Sequence, residues 1–249
     1  MLQHRLIAAV EQRCHQDGRL AAALTYGSFV TGEADAHSDI EFWLFFTTMP
    51  DPYEWIRSIG SSRHVVVNEF GAHVAFFPGL IRGEFHFAPE DDIASVADWP
   101  ARGAPVDRMI VLDRTGALRR ALDSLPEQPD VPGSLGSVGE VCGRFANWLI
   151  LAHQVSLRGE RLRSADALAH ARRHLLWMAR LVTGHTEHWL TPSRAAETDL
   201  PSEEVAALHG ATTPAEMWIV GRRYWRILAG PAAVPEALFT ELDEALSPS

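Results

Sequence analysis

One interruption divides this chain into two kinds of sequence. Residues 126–137, PEQPDVPGSLGS, contain three Pro and two Gly, the residues that most often interrupt regular structure. Before the break, short β-branched and aromatic runs alternate with turns. After it, strand-like runs vanish and the apolar spacing becomes helical over 138–157, 164–183, 202–209 and 214–228. The expectation is an α+β protein of two domains, 1–130 with the sheet and 131–249 all helical, within the length that two modest domains need.

In the first part, Leu2, Leu6, Ile7, Val10 and Cys14 recur at helical spacing over 2–15. Strands are expected at 21–26, 40–46, 64–70, 73–77, 81–87 and 109–113. The run 40–46, IEFWLFF, is apolar enough for a central strand. Residues 52–59 open with Pro52 and stop at Gly60, a helix with its usual punctuation.

Composition removes several classes of function. The formal net charge is −10, which argues against a general nucleic-acid binder and leaves cationic small molecules or carboxylate-held metal ions as natural partners. All 22 basic residues are Arg. Without Lys there is no Schiff-base chemistry and no Walker A loop. Two cysteines, Cys14 and Cys142, are too few for a disulfide scaffold or a cysteine zinc site. No apolar run is long enough for a membrane span, and the polar N-terminal stretch does not read as a signal peptide. A cytoplasmic location with reduced thiols is expected.

The chemistry concentrates in residues 27–41. Gly27-Ser28 closes a strand, and Asp39-Ile40-Glu41 heads the next one. Residues two apart on a strand share a face, so Asp39 and Glu41 project together while Ile40 and Phe42 face the other way. Paired carboxylates suit Mg²⁺, which takes oxygen ligands from one or two carboxylates and from phosphates. Gly27 permits close backbone approach, and the Ser28 hydroxyl is suited to a phosphate oxygen. A phosphate loop beside a carboxylate pair suits nucleotidyl transfer.

This arrangement resembles the nucleotidyltransferase superfamily, with Gly-Ser, a spacer and Asp-x-Asp/Glu. Tyr26-Gly27-Ser28-Phe29, Gly32-Glu33, Asp35, Ser38-Asp39-Ile40-Glu41-Phe42 and Leu80–Phe87 look like the B-type lincosamide nucleotidyltransferases, and Arg158-Gly159-Glu160 resembles a turn in the helical domain of antibiotic nucleotidyltransferases. The resemblance implies a mixed-sheet nucleotidyltransferase domain of the DNA polymerase beta-like type at 1–130, followed by a helical bundle at 131–249. It also implies Mg²⁺, ATP as donor, a lincosamide hydroxyl as acceptor, antibiotic resistance as the outcome and a homodimer. The competing expectations are another acceptor such as an aminoglycoside, or a non-catalytic nucleotidyltransferase-like antitoxin.

The superfamily needs a third carboxylate, and both Glu69 and Glu84 are candidates. Arg82, Glu84 and His86 alternate with Phe85 and Phe87, so the three polar residues share a face. The resemblance favours Glu84, as general base and as a possible metal contact. The structural alternative is an ion pair between Arg82 and Glu84. The expected site is therefore Asp39, Glu41 and Glu84 for catalysis and metal, with Gly27 and Ser28 at the nucleotide. Glu33 and Asp35 read either as shaping the phosphate loop or as turn formers. His170 and His174 lack the Glu that a zincin requires. Arg144 and Arg158 are candidates for phosphate charge, and each reads equally as a surface ion pair. Trp148, Trp177, Trp189, Trp218 and Trp225 are expected in the helical core, with one or two lining a pocket.

Overall fold

The computed structural model describes residues 1–230 and 234–246. The chain forms two compact units, Met1–Pro129 and Asp130–Ser249. The first unit runs α1 (Leu2–Gln16), β1 (Leu20–Thr25), α2 (Ser28–Thr31), β2 (Ile40–Phe46), α3 (Pro52–Ile59), β3 (His64–Val67), β4 (His73–Phe77), β5 (Ile81–Pro89), α4 (Val106–Met109), β6 (Ile110–Asp113) and α5 (Ala117–Asp123), with 3₁₀ segments at Pro78–Leu80 and Glu90–Asp98. The strands make one mixed sheet in the order β3-β4-β5-β2-β1-β6. β2 pairs parallel to β5 and antiparallel to β1.

Both faces of this sheet are covered. Ile40, Phe42, Leu44 and Phe46 of β2 pack with Leu6 and Val10 of α1 and with Trp55 and Ile56 of α3. On the other face, Phe45 meets Val96, Met109, Leu118 and Leu122. Burial on both sides explains why β2 reads as an apolar run and not as a simple alternation. α3 starts where Pro52 predicts, and the Asp51 side chain accepts from the Glu54 N–H at 3.0 Å.

The expected strands all form, 40–46 and 73–77 with the expected ends and the others with shifted ones. β3 stops at Val67 because the Asn68 side chain accepts from the N–H groups of Phe70 and Ala72, at 3.1 and 2.9 Å, and bends the chain back. Met109 belongs to α4. The short helices α2, α4 and α5 escaped the sequence reading because each is too brief to show a helical period.

The second unit contains α6 (Leu135–Leu157), α7 (Arg161–Thr183), α8 (Ala196–Asp199), α9 (Ser202–Gly210), α10 (Pro214–Ala229) and α11 (Glu236–Ala245). Ser134 and Ser137 form a reciprocal cap that starts α6 three residues before the periodicity does. Arg158-Gly159-Glu160 is the turn between α6 and α7, with Gly159 at φ +78°. Trp218 and Trp225 lie in the helical core, as expected. The fully buried Arg180 donates to the carbonyls of His185, Pro192 and Arg194 and to Asp199, which ties the segment after α7 to the helices. Cys14 and Cys142 are buried free thiols, one in each unit.

α10 approaches α6 closely at Gly221. A Cβ there would lie 2.2 Å from the Phe145 ring, which is itself fully buried. Gly221→Ala is therefore expected to destabilise the protein by about 1–3 kcal/mol, the usual cost of overpacking. Chemical denaturation checks this, and an unchanged midpoint would show that the ring relaxes without cost.

Candidate active site

The expected site residues meet at one end of the β1-β2-β5 part of the sheet. β1 ends at Thr25, and Tyr26 and Gly27 lead into the single turn of α2. The Tyr26 N–H still donates to the Glu41 carbonyl at 3.3 Å, so the chain leaves the sheet directly beside β2. Gly27 has φ +75°, a region that favours glycine. Its missing side chain matters as much as its torsion: a Cβ would fall 1.6 Å from Glu41 Oε2. The Glu41 carboxylate therefore lies directly against the Gly27-Ser28 turn. Ser28 is buried as the first residue of α2.

Asp39 stands one residue before β2, and Glu41 is the second residue of the strand. Parallel pairing sets Glu41 opposite Glu84 and Ile40 opposite Gly83. This register brings Glu41, with Asp39 just before its strand, alongside Glu84 of β5. Phe85 is fully buried on the other face, and Arg82, Glu84 and His86 are half-buried on the acidic one. Glu69 sits in the exposed β3–β4 turn.

Arg82 occupies the centre of this cluster. Its Nη1 donates to Asp39 Oδ2 at 2.6 Å, and its Nη2 donates to Glu84 Oε2. His86 Nε2 lies 3.2 Å from the other Glu84 oxygen. The Arg82–Glu84 ion pair is thus real, and it extends to Asp39. Among the described residues, no three His, Cys, Asp or Glu side chains are gathered into a ready metal-ligand set. The donor chemistry nonetheless suits Mg²⁺: hard carboxylate oxygens are presented from adjacent strands, with the Glu41 carboxylate seated against the Gly27 turn.

Below the acids lies an aromatic floor. Trp43 stacks on Trp99 at 5.5 Å and faces His86 at 5.2 Å, while Tyr26 meets Trp99 edge-on at 5.9 Å. Burial raises the Tyr26 pKa, and the negative charges of Glu84 and Glu41 raise it further. The phenol therefore stays protonated. Sequence reasoning noted Tyr26 only within a motif and missed Gln3 entirely. Gln3 is buried, and its amide donates to the carbonyls of Ala36 and Ser38, at 2.9 and 3.3 Å, so α1 anchors the loop that delivers Asp39. An isolated glutamine in an amphipathic helix carries no sequence signal for that role. Asp35 is a turn former, accepting from the His37 N–H at 2.8 Å and the Ser38 hydroxyl at 3.0 Å.

The helical unit contains a cavity of about 520 Å³, with Trp177, Trp189, His174, Val131, Asp130 and Glu140 among its lining. Trp177 Nε1 donates to the Trp189 carbonyl at 2.7 Å, which fixes one wall. Burial is the main cause holding His174 below the usual imidazole pKa. Arg144 pairs with Glu140 at 3.1 Å, and Arg158 lies 3.9 Å from Glu160. His170 stacks on Trp148 at 4.2 Å.

The family comparison of the helical half agrees with the resemblance read from the sequence. Residues 136–241 match the family described as "Lincosamide nucleotidyltransferase-like, C-terminal domain". Among solved structures, the chain is similar to the crystal structure of an aminoglycoside 6-adenyltransferase from Bacillus subtilis, with 11% identity, a TM-score of 0.43, and coverage of 98% of this chain and 97% of the other. No curated protein matches in sequence. Among the described residues, no helix is long and apolar enough to cross a membrane.

Proposed function

We propose that this protein transfers AMP from ATP to a hydroxyl of a small-molecule antibiotic, with a lincosamide as the acceptor. The observation that carries the reading is the convergence of Gly27, Glu41 and Glu84: a glycine turn pressed against one carboxylate, with a second directly across the strand pair. The family matched by the helical half supports it independently.

In this reading, Asp39 and Glu41 hold the divalent cation that accompanies ATP. Mg²⁺, when bound, supplies charge neutralisation on the triphosphate and orients it. The Gly27-Ser28 turn lets backbone and hydroxyl approach the phosphates. Glu84 takes the proton from the attacking hydroxyl, whose oxygen bonds to the α-phosphorus as pyrophosphate departs. Tyr26 and His86 orient the Glu84 carboxylate. The cavity in the helical unit suits an acceptor with one amine and an apolar body, because two Trp rings offer apolar and cation–π contact and Asp130 offers charge, while Glu140 is already paired with Arg144 on the same lining. A polycationic acceptor would want a more polar lining.

Purified protein incubated with isotopically labelled ATP, Mg²⁺ and a panel of lincosamides and aminoglycosides tests this, with acceptors read by mass spectrometry. One adenylyl group on lincomycin or clindamycin is expected. Adducts on aminoglycosides alone would move the assignment to that class, and no adduct on any hydroxyl acceptor would remove it.

A further inference from the structure

Arginine is the only side chain in this protein that stays cationic across all working pH values, because the sequence contains no lysine. One such arginine lies inside the acidic site. Arg82 spans from Asp39 on one strand to Glu84 on the next. Asp39 Oδ2 and Glu84 Oε2 both accept from it, and Glu84 Oε1 faces His86. While this bridge stands, Asp39 Oδ2 and Glu84 Oε2 each commit a lone pair to the guanidinium, and the positive charge of Arg82 stands where a cation on Asp39 would have to approach. The bridge is not sealed by packing: the side chains of Arg82 and Asp39 are 35% and 36% exposed.

We propose that Arg82 is an exchangeable counter-cation. It clamps Asp39 to Glu84 while no nucleotide is present, yields Asp39 to the divalent cation that arrives with ATP, and turns its guanidinium to the triphosphate. The proposal rests on reading Asp39 and Glu41 as the cation-holding pair. Electrostatics supplies the reason for exchange. Clustered carboxylates repel one another and need a positive partner, yet a guanidinium and a divalent ion on the same oxygen repel each other strongly at contact distance. Binding of the ion and the Asp39–Arg82 bond therefore oppose each other, and the opposition is reciprocal. The released guanidinium has a natural second partner, since its planar fork matches phosphate oxygens as well as carboxylates.

Mn²⁺ binding to the full-length, nucleotide-free protein tests this, followed by loss of the free-ion electron paramagnetic resonance signal. Arg82→Met is expected to bind Mn²⁺ about tenfold more tightly than wild type, the scale of one nearby charge in a partly solvated site. Arg82→Lys, which keeps the charge, is expected to stay near the wild-type value. The gain is expected to vanish in Arg82→Met/Asp39→Asn. Equal or weaker binding by Arg82→Met overturns the proposal. Should that variant fail to fold, the Arg82 Nε–H resonance of wild type decides, assigned through Arg82→Lys. It is expected to shift when Mg²⁺ and a non-hydrolysable ATP analogue are added, and an unmoved resonance overturns the exchange. Failure of the underlying reading looks different. If Asp39→Asn still transfers AMP, the site assignment itself falls. If Asp39→Asn is inactive while wild type and Arg82→Met bind Mn²⁺ equally, only the role of Arg82 falls.

Discussion

Glu84→Gln is expected to lower the rate of adenylyl transfer by about 10²–10⁴-fold, the usual consequence of removing a general base. The amide keeps the shape of the side chain, and Phe85 remains buried behind it, so β5 and the fold should be retained. It loses proton acceptance. ATP affinity should change little, because Asp39 and Glu41 hold the cation and triphosphate. If Glu84 acts chiefly as a metal ligand, Mg²⁺ affinity should fall together with the rate, and excess Mg²⁺ should restore part of the activity. Glu69→Gln is the control. Glu69 lies in the exposed β3–β4 turn, while Glu84 lies opposite Glu41, so its substitution should be nearly harmless. Near-wild-type turnover by Glu84→Gln, with a severe loss in Glu69→Gln, would reverse the assignment.

Asp39→Ala or Glu41→Ala should cost about 10²–10³-fold in rate, the scale for losing one preorganised electrostatic contact at developing charge. The two variants should differ in the nucleotide-free protein. Removing Asp39 leaves Arg82 still paired with Glu84, so little stability should be lost. Removing Glu41 empties the space its carboxylate fills against Gly27, so this variant should be the less stable of the two. Steady-state rates at saturating Mg²⁺, with a thermal melt of each variant, check both expectations. A variant of either residue that keeps half the wild-type rate would contradict the metal assignment.

The parts of the fold legible in the sequence were those with a long, strong period. IEFWLFF, short and rich in aromatics, favoured a central strand, and its ends fall where expected. The long helices α6 and α7 announced themselves by apolar spacing, and the Pro- and Gly-rich break fell between the two kinds of pattern. Strand pairing was not legible. That β2 lies parallel to β5 depends on the whole course of the chain between them, and this pairing is what sets Glu41 beside Glu84. The alternation Arg82-Glu84-His86 correctly put three polar side chains on one face. It could not show that Arg82 reaches across to Asp39, because that contact joins residues 43 apart in sequence. Gln3 and the aromatic floor were invisible for the same reason: their roles arise from packing, not from local pattern.

The most direct test of the central claim is the release of pyrophosphate by wild-type protein given ATP, Mg²⁺ and lincomycin, measured beside the Asp39→Ala protein. The account predicts one pyrophosphate for each adenylylated lincomycin formed, with both products falling by at least about 10²-fold in the variant. Equal pyrophosphate release by the two proteins, or release without an adenylylated acceptor from the panel, would contradict it.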